Sequence, residues 1–305
     1  MDFGMIGLGR MGANMTRRLR SGDVGVIGFD RNPAAVQELV ADAGMRAAQS
    51  IEDLVRQLAP PRVVWLMLPA GAITESAVVD LADLLAPGDI VVDGGNAWYR
   101  DSIRRGALLA LRGIEFVDAG VSGGIWGLEN GYALMVGATD TAFARVAPLL
   151  RILAPAPDRG LVHTGPVGSG HFVKMIHNGI EYGMMQAYAE GLALMQGRDD
   201  WTLDLAAITE AWRHGSVVQS WLLDLTAGFL ARDQGLAGVQ PYVQDSGEGR
   251  WTAIEAIERG IPAPVISAAL MARFASRDSG NYAARLLAMM RQAFGGHATL
   301  PAAED

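Results

Sequence analysis

Phe3-Gly4-Met5-Ile6-Gly7-Leu8-Gly9-Arg10-Met11-Gly12 decides how the first half of the chain reads. A short apolar run ends in a glycine-rich turn, and a helical pattern follows through Arg20. A second apolar run, from Val24 to Phe29, ends at Asp30. Strand, turn, helix, strand and acidic residue in that order form the fingerprint of a Rossmann dinucleotide-binding unit. Gly7 permits the tight turn, Gly9 the close approach of a pyrophosphate, and Gly12 the packing of helix on sheet. Leu8, Arg10 and Met11 lie where the helix N-terminus offers N–H groups to phosphate. Asp30 suits the hydroxyls of an adenosine ribose and repels a 2′-phosphate, which favours NAD over NADP. Arg31 beside it offsets part of that repulsion, so NADP is the secondary expectation. Asp30-Arg31-Asn32-Pro33 also reads as an Asx turn, which is compatible with the cofactor role.

Alternation continues beyond this unit. Helices are expected at 34–43, 51–57, 73–85 and 99–112, and strands at 45–48, 62–68, 90–93 and 116–119. The run Val63-Val64-Trp65-Leu66-Met67-Leu68 is that of a parallel strand buried on both faces. Leu68, Pro69 and Ala70 follow it, at the end where open α/β sheets bind ligands. Gly94-Gly95-Asn96 and Ser122-Gly123-Gly124 follow later strands, on the same rim as the glycine-rich turn. Singly these are ordinary turn sequences. Together they aim polar groups at one place.

From Gly165 the chain enters a turn, Gly165-Pro166-Val167-Gly168, and then a long helix. Lys174, His177, Asn178 and Glu181 (i, i+3, i+4, i+7) share a face of about 100°, opposite Phe172, Ile176 and Ile180. A surface helix shows the same period with no chemistry attached. Beside a cofactor site, the face instead sets an amine, an imidazole, an amide and a carboxyl within reach of one small molecule. Helical periodicity then persists, at 168–196, 203–212, 217–231, 251–259, 263–275 and 282–294. The fold class expected is an α/β Rossmann-type N-terminal domain (1–165) followed by an all-α C-terminal domain (166–305) for substrate binding and dimerisation. The apolar richness of these helices exceeds what one core needs, so a homodimer with an interlocked helical interface is expected.

Composition narrows the class. The 305 residues are 50% hydrophobic with a formal net charge of −8, which argues against nucleic acid or an anionic membrane surface as partner. An anionic substrate must be gathered by local arginines and lysines. With no cysteine there is no disulfide, thiolate metal site or Cys nucleophile. No leader pattern or membrane span is evident, so a cytoplasmic enzyme without a metal is expected.

Gly7-Leu8-Gly9-Arg10-Met11-Gly12, Asp93-Gly94-Gly95-Asn96, Ser122-Gly123-Gly124 and the segment from Gly170 to Tyr182 together resemble 6-phosphogluconate dehydrogenase. So do Gly247-Glu248-Gly249-Arg250-Trp251-Thr252, Met271-Ala272-Arg273 and the segment from Arg291 to His297. The chain looks like the short bacterial form, commonly NAD-linked. The related β-hydroxyacid dehydrogenases usually carry Ser-Thr at the positions of Gly95 and Asn96 and lack His177 and the Glu181-Tyr182 pair. The resemblance implies oxidative decarboxylation of 6-phosphogluconate to ribulose 5-phosphate, a step of the pentose phosphate pathway. In that reaction the C3 hydroxyl loses its proton as hydride leaves C3. The β-keto acid sheds CO₂ to an enediol, and C1 of the enediol is then protonated. Lys174 is implied as base and then acid at the C3 oxygen, and Glu181 as the acid at C1. His177 and Asn178 would hold substrate hydroxyls, and Asn96, Ser122, Gly123 and Gly124 the carboxylate end. Tyr182, Arg250, Thr252, Arg273 and Arg291, with His297, would take the phosphate. Arg250 stands where the long form has Lys, and Arg291 and His297 would reach into a partner subunit. The alternatives are a β-hydroxyacid dehydrogenase acting on an unphosphorylated short acid, and a silent nucleotide sensor. The latter would be expected to have lost Lys174 or Glu181.

Overall fold

The computed structural model describes residues 2–278, 280–295, 298 and 300. Its contacts divide the chain into two compact units, Met1–His177 and Asn178–Asp305. The first unit is built on an eight-stranded sheet. Its strands are β1 (Asp2–Ile6), β2 (Gly25–Phe29), β3 (Arg46–Ala47), β4 (Val63–Leu66), β5 (Ile90–Asp93), β6 (Glu115–Ser122), β7 (Ala133–Gly137) and β8 (Leu161–Gly165). They lie in the order β3-β2-β1-β4-β5-β6-β7-β8. Pairing is parallel from β3 to β6, antiparallel between β6 and β7, and parallel again between β7 and β8. The order reverses between β1 and β4, which opens a crevice at their C-terminal ends.

Helices cover both faces: α1 (Arg10–Ser21), α2 (Pro33–Ala43), α3 (Ile51–Gln57), α4 (Ala72–Leu84), α5 (Tyr99–Ala110), the single turn α6 (Gly127–Asn130) and α7 (Asp140–Leu153). Strand alternation splits the core accordingly. Val63, Trp65, Ile90 and Val92 pack into one apolar layer, and Val64, Leu66 and Val91 into the other. Local chemistry sets the helix ends. Asn32 caps α2 by accepting from Ala34 N, Pro33 opens that helix, and Gly44 closes it at φ 62°. Ser50 and Thr139 cap α3 and α7 in the same way.

The expected strands and helices up to residue 119 are present, with ends that match or differ by at most three residues. The sequence reading assigns no element between Gly124 and Thr164, where the structure has α6, β7, α7 and β8. β7 is the antiparallel strand, and its glycine-flanked run of five residues (Ala133–Gly137) gives little periodicity to read.

The long helix α8 (Ser169–Gln196) starts in the first unit and ends in the second. The second unit adds α9 (Leu205–Trp212), α10 (Trp221–Leu230), α11 (Glu248–Arg259), α12 (Pro264–Ala275) and α13 (Tyr282–Gly295). α10 begins four residues later than its apolar run suggests because Ser220 caps it, accepting from Leu223 N, and Val217 stays in solvent. α11 begins three residues earlier, at Glu248.

Candidate active site

The glycine-rich turn follows β1. Gly7 sits at φ 94°, and a Cβ there would fall 2.4 Å from Met67 O; at Gly12 it would fall 2.0 Å from Gly7 O. Only glycine permits turn, helix and β4 to come this close. Above Gly9, by contrast, a Cβ would meet nothing within 4 Å, so the backbone is open to an incoming group. The N–H groups of Arg10, Met11 and Gly12 lie in the first turn of α1 and have no acceptor within that helix. This donor set fits a pyrophosphate. Asp30 Oδ2 accepts from Leu8 N at 2.6 Å and Oδ1 from Asn32 N at 2.7 Å, so the Asx turn is real and also braces the glycine turn. The Leu8 N–H is therefore committed to Asp30, and the Leu8 side chain is buried. Each Asp30 oxygen keeps a lone pair for a ribose hydroxyl. Arg31 is exposed beside it.

Two further turns meet on the same rim. A Cβ on Gly95 would lie 2.5 Å from Leu68 O, so Gly94-Gly95-Asn96 and Leu68-Pro69-Ala70 are in contact. Thr74 donates to Pro69 O at 2.8 Å. Beneath them Asp93 and Arg105 form a buried ion pair at 3.2 Å, and Asp93 Oδ1 also accepts from Gly95 N. Arg105 Nε donates to Glu75 Oε2 at 2.9 Å, and Arg104 holds the other Glu75 oxygen. Arg104 and Arg105 hold the Glu75 carboxyl down to about 2, against the opposing effect of partial burial. Asn96, Pro69 and Ala70 stay exposed above this scaffold.

Lys174 owes its position to glycines. A Cβ on Gly120 would strike Lys174 Cβ at 2.4 Å, and one on Gly170 would strike Asp118 O at 2.4 Å, so the first turns of α8 lie directly on β6. Asp118, buried at the heart of β6, caps that helix from outside. Its oxygens accept from Gly168 N at 2.6 Å and His171 N at 2.8 Å. Burial pushes the Asp118 carboxyl up, while the His171 charge and these N–H groups pull against it. His171 is itself buried and bonds Ser102 Oγ at 2.7 Å through Nδ1. One turn beyond Lys174, His177 Nε2 lies 3.4 Å from Ser122 Oγ, which joins the imidazole to the Ser122-Gly123-Gly124 turn. Gly123 and Gly124 have φ 133° and 52°, and a Cβ on Gly124 would meet nothing within 4 Å. Lys174 and His177 are both half-buried.

In the second unit, Asn178 Nδ2 donates to Glu248 Oε1 at 2.6 Å. Glu248 is buried, and its other oxygen accepts from Ser246 Oγ. Glu181 is half-buried, and its carboxylate has no hydrogen bond or ion pair among the described residues. Tyr182 is buried, its hydroxyl accepting from Ser246 N at 3.1 Å, and the Arg273 guanidinium lies 3.5 Å from its ring centroid. Arg250 is exposed and bonded to Asp245. Thr252 is buried against Gly179 of α8, and its hydroxyl donates to Glu248 O. Arg291 is exposed on α13, and His297 lies outside the described residues.

Sequence reasoning assigned no role to Glu248, Asp93, Arg105, Asp118 or His171. The available signal was charged residues set among glycines or at the end of an apolar strand, where burial demands a partner.

Among the described residues there is no group of three or more His, Asp or Glu arranged to hold a metal ion, and no helix long and apolar enough to cross a membrane. The reversing strand order, the glycine-rich turn and the helical second unit define a dinucleotide-binding protein of the Rossmann class with an α-helical partner domain. Residues 2–165 match the family described as the NAD binding domain of 6-phosphogluconate dehydrogenase, and residues 170–298 match that enzyme's C-terminal domain. The chain belongs to the 6-phosphogluconate dehydrogenase family.

Among its relatives is the NAD(+)-dependent, decarboxylating 6-phosphogluconate dehydrogenase of Haloferax volcanii, 40% identical, the match covering 97% of this chain and 98% of that one. The decarboxylating enzyme of Synechococcus elongatus is 36% identical, covering 90% of this chain and 61% of the longer relative. Among solved structures, 6-phosphogluconate dehydrogenase of Plasmodium falciparum, studied with NADP+ and with 6-phosphogluconate, superposes with a TM-score of 0.84 at 30% identity. That match covers 100% of this chain and 67% of the other. The 3-hydroxyisobutyrate dehydrogenase of Mycobacterium tuberculosis shares the fold, with a TM-score of 0.72 at 23% identity over 88% of this chain and 90% of that one.

Proposed function

We propose that the protein oxidises 6-phosphogluconate at C3 and decarboxylates it to ribulose 5-phosphate, with NAD preferred over NADP. NAD, when bound, supplies the hydride acceptor. In this reading residues 1–165 form the cofactor domain and 166–305 the substrate and dimerisation domain. The backbone of Gly7, Gly9, Arg10, Met11 and Gly12 binds the pyrophosphate, Leu8 braces the turn from below, and Asp30 selects the unphosphorylated ribose. Leu68, Pro69, Ala70 and Asn96 frame the nicotinamide end. Lys174 takes the C3 hydroxyl proton and returns it to the same oxygen when CO₂ departs. Glu181 then protonates C1 of the enediol, which was C2 of the substrate, while the proton on the former C3 oxygen passes back to Lys174 and leaves the ketone. The two lie seven residues apart on α8, roughly 10 Å along its axis, which leaves room for a sugar acid between them. His177, oriented through Ser122, and Asn178, oriented through Glu248, hold hydroxyls and the developing oxygen charge. Ser122, Gly123 and Gly124 receive the carboxylate.

The observation that carries the phosphorylated substrate is Arg273 stacked on Tyr182, with Arg250 on the neighbouring helix. An unphosphorylated short acid has no use for such a cluster. Arg291 and His297 are proposed to complete the phosphate site of a partner subunit, in a homodimer or a tetramer built from such dimers. Apolar side chains exposed on one copy, among them Leu194, Ile257, Val265 and Met271, suit that pairing. The setting proposed is the cytoplasm. The test is a steady-state assay with 6-phosphogluconate and with NAD and NADP in parallel, following both reduced cofactor and CO₂. The expected result is equimolar release with a lower KM for NAD. Reduced cofactor without CO₂ would reassign the protein to simple hydroxyacid oxidation.

A further inference from the structure

Three guanidinium groups converge on the segment Gln244-Asp245-Ser246. Arg273 Nη1 donates to Gln244 O at 2.9 Å. Arg250 and Arg277 both donate to one atom, Asp245 Oδ2, at 3.0 and 2.9 Å. Sharing a single oxygen sets their donor nitrogens no more than about 6 Å apart. The ring of Phe274 lies 5.1 Å from each of the two guanidinium carbons. Burial opposes the charge on Asp245, but the two arginines outweigh it and hold the carboxyl below its ordinary value. One anion thus faces two cations, with a third guanidinium on the same segment, and positive charge is left over in a chain whose net charge is −8.

Arg18 shows what full structural use of an arginine is, with all three of its nitrogens engaged. They donate to the carbonyls of Ile152, Leu128 and Ala154. Arg277 spends one of its five N–H donors on Asp245, and the others have no acceptor among the described residues. Its side chain is nevertheless 26% exposed and clamped by Asp245 and Phe274, so little motion remains to be lost on binding. Two nearby forks with unused donors, facing excess positive charge, match the oxygens of a phosphate monoester dianion.

We infer that Arg277 is a further phosphate-binding residue, held beside Arg250 by Asp245, that selects phosphorylated over unphosphorylated sugar acids. This rests on the reading of the substrate given above. Arg277→Met should raise KM for 6-phosphogluconate about tenfold, as expected for losing a charge-assisted bond, with kcat and the KM for NAD within about twofold of wild type. Inorganic phosphate, added as a competitive inhibitor, should weaken in parallel. Arg277→Lys, which keeps the charge but loses the fork, should fall between the two and serves if the Met variant folds poorly. Arg198→Met, on an exposed Arg198–Asp200 pair, should change nothing. A merely structural role would lower kcat and disturb NAD binding as well. Unchanged KM and unchanged phosphate inhibition in both Arg277 variants would overturn the inference and leave the reaction standing. No turnover of 6-phosphogluconate by wild type would overturn the reaction. The rise in melting temperature given by inorganic phosphate, present in wild type and reduced in Arg277→Met, would then decide the role of Arg277 alone.

Discussion

Asn178 and Glu181 are neighbours on one helix face, yet they are held differently. The amide of Asn178 is fixed by Glu248, to which its Nδ2 donates at 2.6 Å. The carboxylate of Glu181 is engaged by nothing among the described residues, so it can meet a carbon without first breaking a contact. That is the arrangement a proton donor needs. Glu181→Gln is expected to lower kcat by about 10²–10³ while the dissociation constant for NAD, measured by fluorescence titration, stays within about twofold. Turnover at the wild-type rate would remove Glu181 from the protonation step.

At the scale of the element, the placement of Lys174 is a matter of how closely α8 lies on β6. Gly120 allows that approach because any Cβ there would occupy the space of Lys174 Cβ. Gly120→Ala should cost about 1–3 kcal/mol, read from the urea midpoint, and should lower activity by more than the folded fraction accounts for. Equal losses of stability and activity would show that the displacement leaves the amine in place. The salt bridges joining α4 to α5 give a pH signature. The Glu75 carboxyl is lowered from 4.5 to about 2 by Arg104 and Arg105. Its ionised form therefore adds stability above pH 4.5, and that contribution is lost as the pH falls through the range between the two values. Wild type should lose stability more steeply across this window than Glu75→Gln in denaturant titrations. Parallel curves would mean that the pair contributes nothing.

For the whole molecule, the proposed trans contribution of Arg291 has a direct assay. Lys174→Met and Arg291→Met should each be nearly inactive as homodimers. Mixed and re-paired, they should regain about a quarter of wild-type activity, because half the dimers are mixed and each holds one intact site. No recovery after subunit exchange, confirmed by a tagged-subunit pull-down, would place Arg291 in the site of its own chain. In the second unit, Tyr188, Leu192, Leu222, Leu225 and Phe229 line an apolar cavity of about 500 Å³, consistent with a helical surface rich in unpaired apolar groups.

The glycine-rich turn, the alternation of strand and helix, and the polar face of α8 were legible in the chain because each is a local pattern. Positive φ, a buried run of valines and a 3.6-residue period all leave marks within a few residues. The antiparallel β7 left almost none, since five residues between glycines carry too little periodicity. The roles of Glu248, Asp118, Arg105 and Arg277 were closed to sequence reasoning for a different reason. Asn178 and Glu248 are 70 positions apart, and Asp118 reaches 53 positions to cap α8. Whether a charged residue is solvated or buried against a distant partner depends on which segments packing brings together. Sequence by itself determined the nucleotide fold and the chemical inventory of α8; only the tertiary structure decided which side chains hold that inventory in place.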